Sequence, residues 1–312
     1  MWNRHFRETS VALALGILLL LLAIVTPEFF RTSQLLSILV GTVPILLAAC
    51  GVALVIICRH IDISIGSQFA LCSVLLGLLV QAGWPMPAAA VAAVFAGALL
   101  GAFNGLMIAS LGLPSIVVTL ATMVTWREAV RWWRQGEFVR DLPEHFQWFG
   151  LGQSVGQGLI LSATATLFIG LALAMKHLSA GRYVYAVGSD AEAARLAGIR
   201  PQLVTFSVFV FMGALTGLAA ILNAVRFADI DPKTGTGLEL QAIAAAVVGG
   251  IAISGGRGSL WGVLWGVLLL ACIAPALVFL KFEPHWEKAL HGSIILLAVA
   301  ADGWRTAKKQ KS

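Results

Sequence analysis

The chain has 312 residues, of which 59% are apolar before 32 glycines are counted, only 12% are charged, and the formal net charge is +6. So few charges cannot cover a soluble globule of this size, and the composition also excludes a disordered chain, a collagen-like repeat or a disulfide scaffold. A mean hydropathy of +0.90 makes this a membrane protein with room for many spans of about 20 residues. The basic excess then bears on orientation in the bilayer and not on nucleic acid.

Apolar runs have cores near 11–25, 35–57, 64–80, 87–111, 115–126, 159–175, 204–225, 242–254, 260–280 and 289–301. They predict an all-α polytopic membrane protein of about ten transmembrane helices, a single transmembrane domain over 1–312. The first run follows Arg4 and Arg7 like a signal peptide, but no small-x-small cleavage site precedes Thr26-Pro27-Glu28, so it is read as a retained helix. The runs at 115–126, 242–254 and 289–301 are short; each must borrow flanking residues or be a half-helix buried in protein. An even number of spans puts both termini on one side. With the amino terminus inside, twelve Lys and Arg lie inside against nine outside, and the basic tail at 308–312 strengthens the assignment of both ends to the cytoplasm.

The glycines and the few polar residues within spans come next. Gly97, Gly101 and Gly105 share one helical face, as do Gly258, Gly262 and Gly266, and Gly213 and Gly217. Such ladders let backbones approach where lipid gives little drive to associate, within one chain or, as the minority reading, in a dimer. Asn104, Thr119, Thr122 and Asn223 are polar residues in apolar runs. They either bond to neighbouring backbone or line a path for a hydroxylated solute. Cys50, Cys58, Cys72 and Cys272 lie in or beside apolar runs without a Cys-x-x-Cys pair, and read as buried thiols.

The longest inside loop is 176–201. Within it Ser189-Asp190-Ala191-Glu192 fits a capping box, with Ser189 as N-cap and Glu192 reaching back, while Gly198 ends the helix ahead of Pro201. The predicted helix at 190–197 would be marginal alone. It therefore leans on its own bundle or docks, through Ala191, Ala194 and Ala197, into a cytoplasmic partner.

The sequence carries no engine of its own. It has no phosphate-loop motif, since Gly255-Gly256-Arg257-Gly258-Ser259 lacks both the spacing and the lysine and reads as a tight inside turn. It has no nucleophile triad or metal-ligand cluster, so neither an enzyme nor a bound cofactor or metal is expected. No acid, lysine or histidine interrupts the middle of a long run, which weighs against an ion-coupled secondary transporter, the alternative reading.

Four blocks carry a family resemblance: Arg59-His60-Ile61-Asp62-Ile63-Ser64-Ile65-Gly66-Ser67; Phe103-Asn104-Gly105 with Pro114-Ser115 through Met123; Gly181-Arg182-Tyr183 through Ile199; and Thr234-Gly235-Thr236-Gly237-Leu238-Glu239 through Gly249-Gly250. In this order they resemble the bacterial ABC sugar-importer permeases of the ribose type, with His60 standing where the family usually has Gly. The resemblance implies a multi-pass protein of the bacterial inner membrane. It also implies three kinds of partner: a second permease copy or paralogue as a dimer, cytoplasmic ATP-binding subunits, and a periplasmic solute-binding protein. ATP hydrolysis would belong to the separate subunit. Ser189, Asp190, Glu192, Ala193, Ala194, Arg195 and Gly198 would couple the permease to it, and Glu239 joins Asn104, Thr119, Thr122 and Asn223 as a candidate of the solute pathway. The outer loop read at 127–157, with Trp132, Trp133, Arg134, Arg140, Asp141, His145, Phe146 and Trp148, is assigned to the interface or to docking of the binding protein. That loop and 234–239 look most like the rhamnose and autoinducer permeases of the family, which implies a small monosaccharide-like cargo such as a deoxyhexose.

Overall fold

The computed structural model describes residues 6–283 together with 286, 289, 290, 292, 293 and 296. Eleven α-helices follow in order among these residues: α1 Phe6–Val25, α2 Thr32–Ile57, α3 Ile65–Gln81, α4 Met86–Leu111, α5 Ser115–Arg134, α6 Gln153–His177, α7 Ser179–Ser189, α8 Ala191–Leu196, α9 Pro201–Ala224, α10 Leu238–Val248 and α11 Leu260–Phe279. Short 3-10 turns occupy Pro27–Phe30 and Glu144–Gly150. The described residues form no sheet, only one antiparallel bridge between Val139 and Ile230. The run at 289–301 lies largely outside the described residues, as do Arg4 and the basic tail.

By length and composition α2, α4, α6, α9 and α11 can each cross a bilayer, and shorter apolar helices occupy Thr9–Val25, Ile65–Gln81 and Leu238–Val248. Two of the short runs resolve in opposite ways. The run at 115–126 borrows its flank: Arg127–Arg134 continues α5, helped by strong helix formers and an Arg131–Glu128 pair at 2.8 Å, until Gln135 turns left-handed at φ 49°. The outer loop therefore begins at 135, and Arg127 to Arg134, read in the sequence as loop, are helical. The run at 242–254 does not extend. Helix α10 has 11 residues, about 16 Å at 1.5 Å per residue and half the thickness of a hydrocarbon core.

Helix α2 is the axle of the bundle. Nearly every residue from Val40 to Ile57 is buried within the bundle, as its almost unbroken apolar sequence allows. Around it pack α6, α9, α10 and α11. The closest packing is that of α4 on α9, because glycine meets glycine: a Cβ added at Gly97 would strike the carbonyl of Gly213, one at Gly101 the carbonyl of Phe209, and one at Gly217 would lie 2.8 Å from the carbonyl of Ala93. Gly266 and Gly249 do the same for α11 on α10, facing Ala245 and Gly262. Helix α1 attaches peripherally to α11 through Leu15, Leu22, Phe29, Cys272 and Ala276, and all four cysteines are free and buried.

If this contact holds the bundle, Gly101→Ala should lower the thermal midpoint of the detergent-solubilised protein by an amount matching about 1–3 kcal/mol of overpacking. Gly170→Ala, on α6 with nothing within 4 Å of the added carbon, should gain up to about 1 kcal/mol from helix propensity. Equal midpoints for the two variants would dismiss the glycine contact as a source of stability.

Candidate functional site

The connection between α2 and α3 is built on a carboxylate that is fully buried. Asp62 Oδ1 accepts from the Ser64 amide at 2.7 Å and the Ser64 hydroxyl at 2.6 Å, and its Oδ2 accepts from Asn104 Nδ2 of α4 at 3.3 Å. The Ser64 hydroxyl in turn accepts from Asn104 Nδ2 at 2.9 Å and from Gln68 Nε2 at 2.8 Å. One donor and two acceptors exhaust that hydroxyl. Ser115 Oγ accepts from the Ile61 amide and the Thr119 hydroxyl reaches the Ile61 carbonyl, which ties α5 to the same turn. Asp62, Ser64, Gln68, Asn104 and Thr119 are all 0% exposed. Burial pushes the Asp62 carboxyl up to about 6, with the Ser64 and Asn104 bonds opposing the rise. The left-handed residue of this turn is Arg59, at φ 66°. His60 beside it carries no positive-φ strain, and burial lowers its pKa.

The second feature is a broken span. After α9 the chain passes Ile230, packed against Gly77 on α3, and reaches Gly235, packed against Gly66 at the start of the same helix. Gly66 and Gly77 are 11 residues apart, about 16 Å along α3. Residues 230–237 therefore run down the length of α3 as successive turns, held by Asp231 Oδ1 on the Lys233 amide and by the Thr236 hydroxyl on the Lys233 carbonyl. Only then does α10 begin, from Gly237 at φ 88°.

The head of α10 carries Glu239, 7% exposed, whose Oε1 accepts from Arg127 of α5 at 3.2 Å. A Cβ on Gly66 would collide with Glu239 Oε2, so this oxygen lies against the first turn of α3. The buried carboxylate is thus compensated by a guanidinium and by the positive ends of two helices, its own and α3. Glu239 Oε2 nonetheless has no hydrogen-bond partner among the described residues, and neither do Gln68 Oε1 and Asn104 Oδ1.

A third cluster closes one end of the bundle. Gly188 packs on the Ile57 carbonyl, the Gly256 amide donates to that same carbonyl at 2.8 Å, and the Arg59 Nε donates to the Ser254 carbonyl at 2.8 Å. Tyr185 donates to the Gly258 carbonyl at 3.0 Å. The end of α7, the α2–α3 turn and the α10–α11 turn are thereby fixed to one another. From this knot α8 projects. Asp190, not Ser189, is its N-cap, its Oδ1 accepting from the Glu192 and Ala193 amides at 2.9 and 3.0 Å. Ser189 cannot serve because it is the last residue of α7, pressed against Gly256. Glu192 does not reach back either; it pairs with Arg195. Gly198, at φ 83°, and Ile199 close the helix with bonds to the Arg195 and Ala194 carbonyls, a Schellman motif. Ala194 faces inward, while Leu196 is 82% exposed, so the outward face is not the alanine stripe of 191, 194 and 197.

The other predicted residues lie apart from these clusters. Thr122 bonds back to the Val118 carbonyl at 3.0 Å, and Asn223 accepts from Arg226 at 3.3 Å. Sequence reasoning missed Arg127 and helix α7. Buried Gly181, Val184 and Gly188 follow a helical i, i+3, i+7 spacing that marks α7; nothing local pairs Arg127 with a residue 112 positions away. No group of three or more metal-ligating side chains occurs among the described residues.

A helical bundle with five helices long and apolar enough to cross a membrane has the architecture of a multi-pass membrane protein. Residues 34–299 match the family model of the branched-chain amino acid transport system / permease component, and the chain belongs to that family: it is a transporter component and not an enzyme. It is 33% identical over 297 residues to the autoinducer 2 import system permease protein LsrC of Escherichia coli (strain K12 / DH10B), covering 95% of this chain and 87% of the relative. The same-named proteins of Shigella flexneri, at 33%, and Salmonella typhi, at 32%, are matched over 95% of this chain and 87% and 86% of their own length. No solved structure matches the chain.

The Asp62 network yields a pH test. A buried carboxyl whose folded pKa is raised binds its proton more tightly than in the unfolded chain, so its contribution to stability is present below the unfolded value and fades as pH rises through the folded one. The wild type should lose stability between about pH 4 and about pH 6, and Asp62→Asn should flatten that slope in a detergent melting series. Parallel slopes in the two proteins would mean that Asp62 is not the titrating group.

Proposed function

We propose that this chain is the membrane-spanning subunit of an ATP-driven importer in the bacterial inner membrane, carrying a small, neutral, monosaccharide-like solute into the cytoplasm. The observation that carries the reading is the knot at one end of the bundle, with α8 projecting from it. A six-residue helix is too short to persist alone, yet this one is capped by Asp190, closed by Gly198 and anchored through α7 to the turns before α3 and α11. That is the build of a strut which transmits a push, and it presents Leu196, Ala193 and Arg195 outward. In this reading the knot faces the cytoplasm, both termini lie on that side, ten spans cross the membrane, and cytoplasmic ATP-binding subunits dock on α8. A second permease copy or paralogue completes the pathway and a periplasmic binding protein delivers the solute to the opposite face, where Trp132 and Trp133 are exposed.

Asn104 and Thr119 then serve the pathway indirectly, as the network that fixes α3 and α5, while Glu239 lies nearest to a route for solute. The relatives are named for autoinducer 2, which sets a signal molecule of that kind beside a deoxyhexose such as rhamnose as cargo. Family membership disfavours a self-sufficient secondary transporter.

Reconstituted with its ATP-binding subunits and binding protein, the double variant Asp190→Ala with Gly198→Ala should keep its melting temperature but lose ATP-driven uptake by about tenfold, because removing the N-cap and straining a left-handed residue each cost the helix about 1 kcal/mol. Undiminished coupled uptake by a correctly assembled double variant would remove α8 from the docking role.

A further inference from the structure

The geometry points to a solute-contacting site at the head of α10, where Arg127 and Glu239 meet beside Gly66 and Gly235, for the hydroxyl groups of a neutral polyol. The inference rests on the import reading above and narrows it to named atoms.

Four observations converge here. First, Glu239 is more than nine-tenths buried, and its Oε2 has no hydrogen-bond partner among the described residues. A buried carboxylate oxygen without a donor is costly, and a hydroxyl donor from solute or solvent removes that cost. Second, Arg127 is not buried to the same degree; its side chain is 27% exposed, so the pair can be reached from one side. Among the described residues its guanidinium makes one hydrogen bond, from Nη2 to Glu239, which leaves donors for a solute oxygen. Third, glycine lets the head of α10 close directly on the first turn of α3: a Cβ on Gly66 would collide with Glu239 Oε2 and with the Gly235 carbonyl. Gly66 and Gly235 approach each other closely, and the exposed Thr236 and half-buried Thr234 sit at the rim. Fourth, the site lies at the junction of an irregular segment with a half-helix. Irregular backbone is tolerated at membrane depth only where protein buries it or it lines a cavity, and half-helix termini are recurrent solute sites in transporters.

The class of ligand follows from charge. Glu239 and Arg127 neutralise each other, so an anion or a cation would have to break the pair and strand one charge. A hydroxyl can donate to Oε2 and accept from the guanidinium while leaving the pair intact, and vicinal hydroxyls can do both at once. The apolar groove lined by Leu71, Leu99, Phe103, Trp126 and Trp133 offers nothing comparable to a sugar hydroxyl.

The test uses the full complex of permease, ATP-binding subunits and binding protein in proteoliposomes, with labelled L-rhamnose, D-ribose and autoinducer 2 as probes. Glu239→Gln keeps the shape and an acceptor but removes the charge. It should assemble and melt like the wild type while the half-saturating concentration for uptake of the transported probe rises about tenfold or more, the loss expected for a hydrogen bond to a charged group. Wild-type uptake in the variant overturns the site, as does a loss of uptake that only tracks a fall in melting temperature, which would make the pair a structural bridge. If the variant fails to assemble, Thr236→Cys decides: the transported probe should slow its alkylation by an aqueous maleimide, and an unchanged rate overturns the site. A wild-type complex that moves none of the three probes overturns the import reading instead, and this site with it.

Discussion

A chain this apolar cannot leave backbone polar groups facing hydrocarbon, and the rest of the structure depends on how it meets that constraint at the one apolar run among the described residues that does not form a full-length helix. Residues 230–237 have no helical ladder of their own. They are accommodated because α3 offers glycine at both ends of their path, Gly77 beside Ile230 and Gly66 beside Gly235, and because Asp231 and Thr236 satisfy the intervening turns. Helix α3 can serve as that rail only if its own start is fixed. That is the role of Asp62, which spends a fully buried carboxylate on orienting Ser64 and engaging Asn104. A buried charge is poor value as a source of stability, but it specifies one arrangement of three helices at a single point. The residues of the Asp62 turn and those of the Thr234–Glu239 stretch are thus two halves of one construction, although some 170 positions separate them in the sequence.

Much of this was legible in the sequence because it is local. Glycine ladders announce close packing, and Gly97 and Gly101 do face Gly213. A helix ending at Gly198 follows from its neighbours, and so does the shortness of the run at 242–254. The N-cap was misread by one residue for a physical reason. Ser189 and Asp190 are both good caps, and what decides between them is the contact of Ser189 with Gly256, which no local rule contains. The sequence places Arg127 to Arg134 in the outer loop, whereas they continue α5. In fact, Arg127 is a helical residue whose charge is matched by Glu239, from another helix. Helix α7 was hidden by its Tyr-Val-Tyr run, which has weak helix propensity and is helical because its apolar face is buried.

The knot and the broken span are the two ends of one mechanical unit. Helix α10 has Glu239 in its first turn, and the turn that follows its last residue is gripped by Gly188, Arg59 and Tyr185. Eleven helical residues are too few to bend appreciably, so a displacement of the grip moves the head of α10 nearly rigidly. The Asp62 turn is fixed to the same knot through Ile57 and Arg59, and it sets the start of α3, against which Glu239 rests. Motion applied at the knot therefore acts on both the head of α10 and the first turn of α3, which meet at Glu239. What it changes there depends on whether the two move together or apart.

The hydrogen bonds set the two in different groups. Helix α3 is bound to α4 and α5 through Asp62, Asn104, Ser115 and Thr119, whereas α10 is packed on α2 and, through glycine and alanine backbone contacts, on α11, without a described side-chain hydrogen bond to either. Between the two groups, at the level of Glu239, the Arg127 bridge is the one described side-chain hydrogen bond. Small-residue interfaces hold through close backbone packing, while a buried hydrogen-bond network specifies one arrangement of its members. The boundary between the hydrogen-bonded group and the backbone-packed group therefore passes between α10 and α3 and through the Arg127–Glu239 pair. A span broken into turns and a half-helix, instead of one continuous helix, is what permits that division.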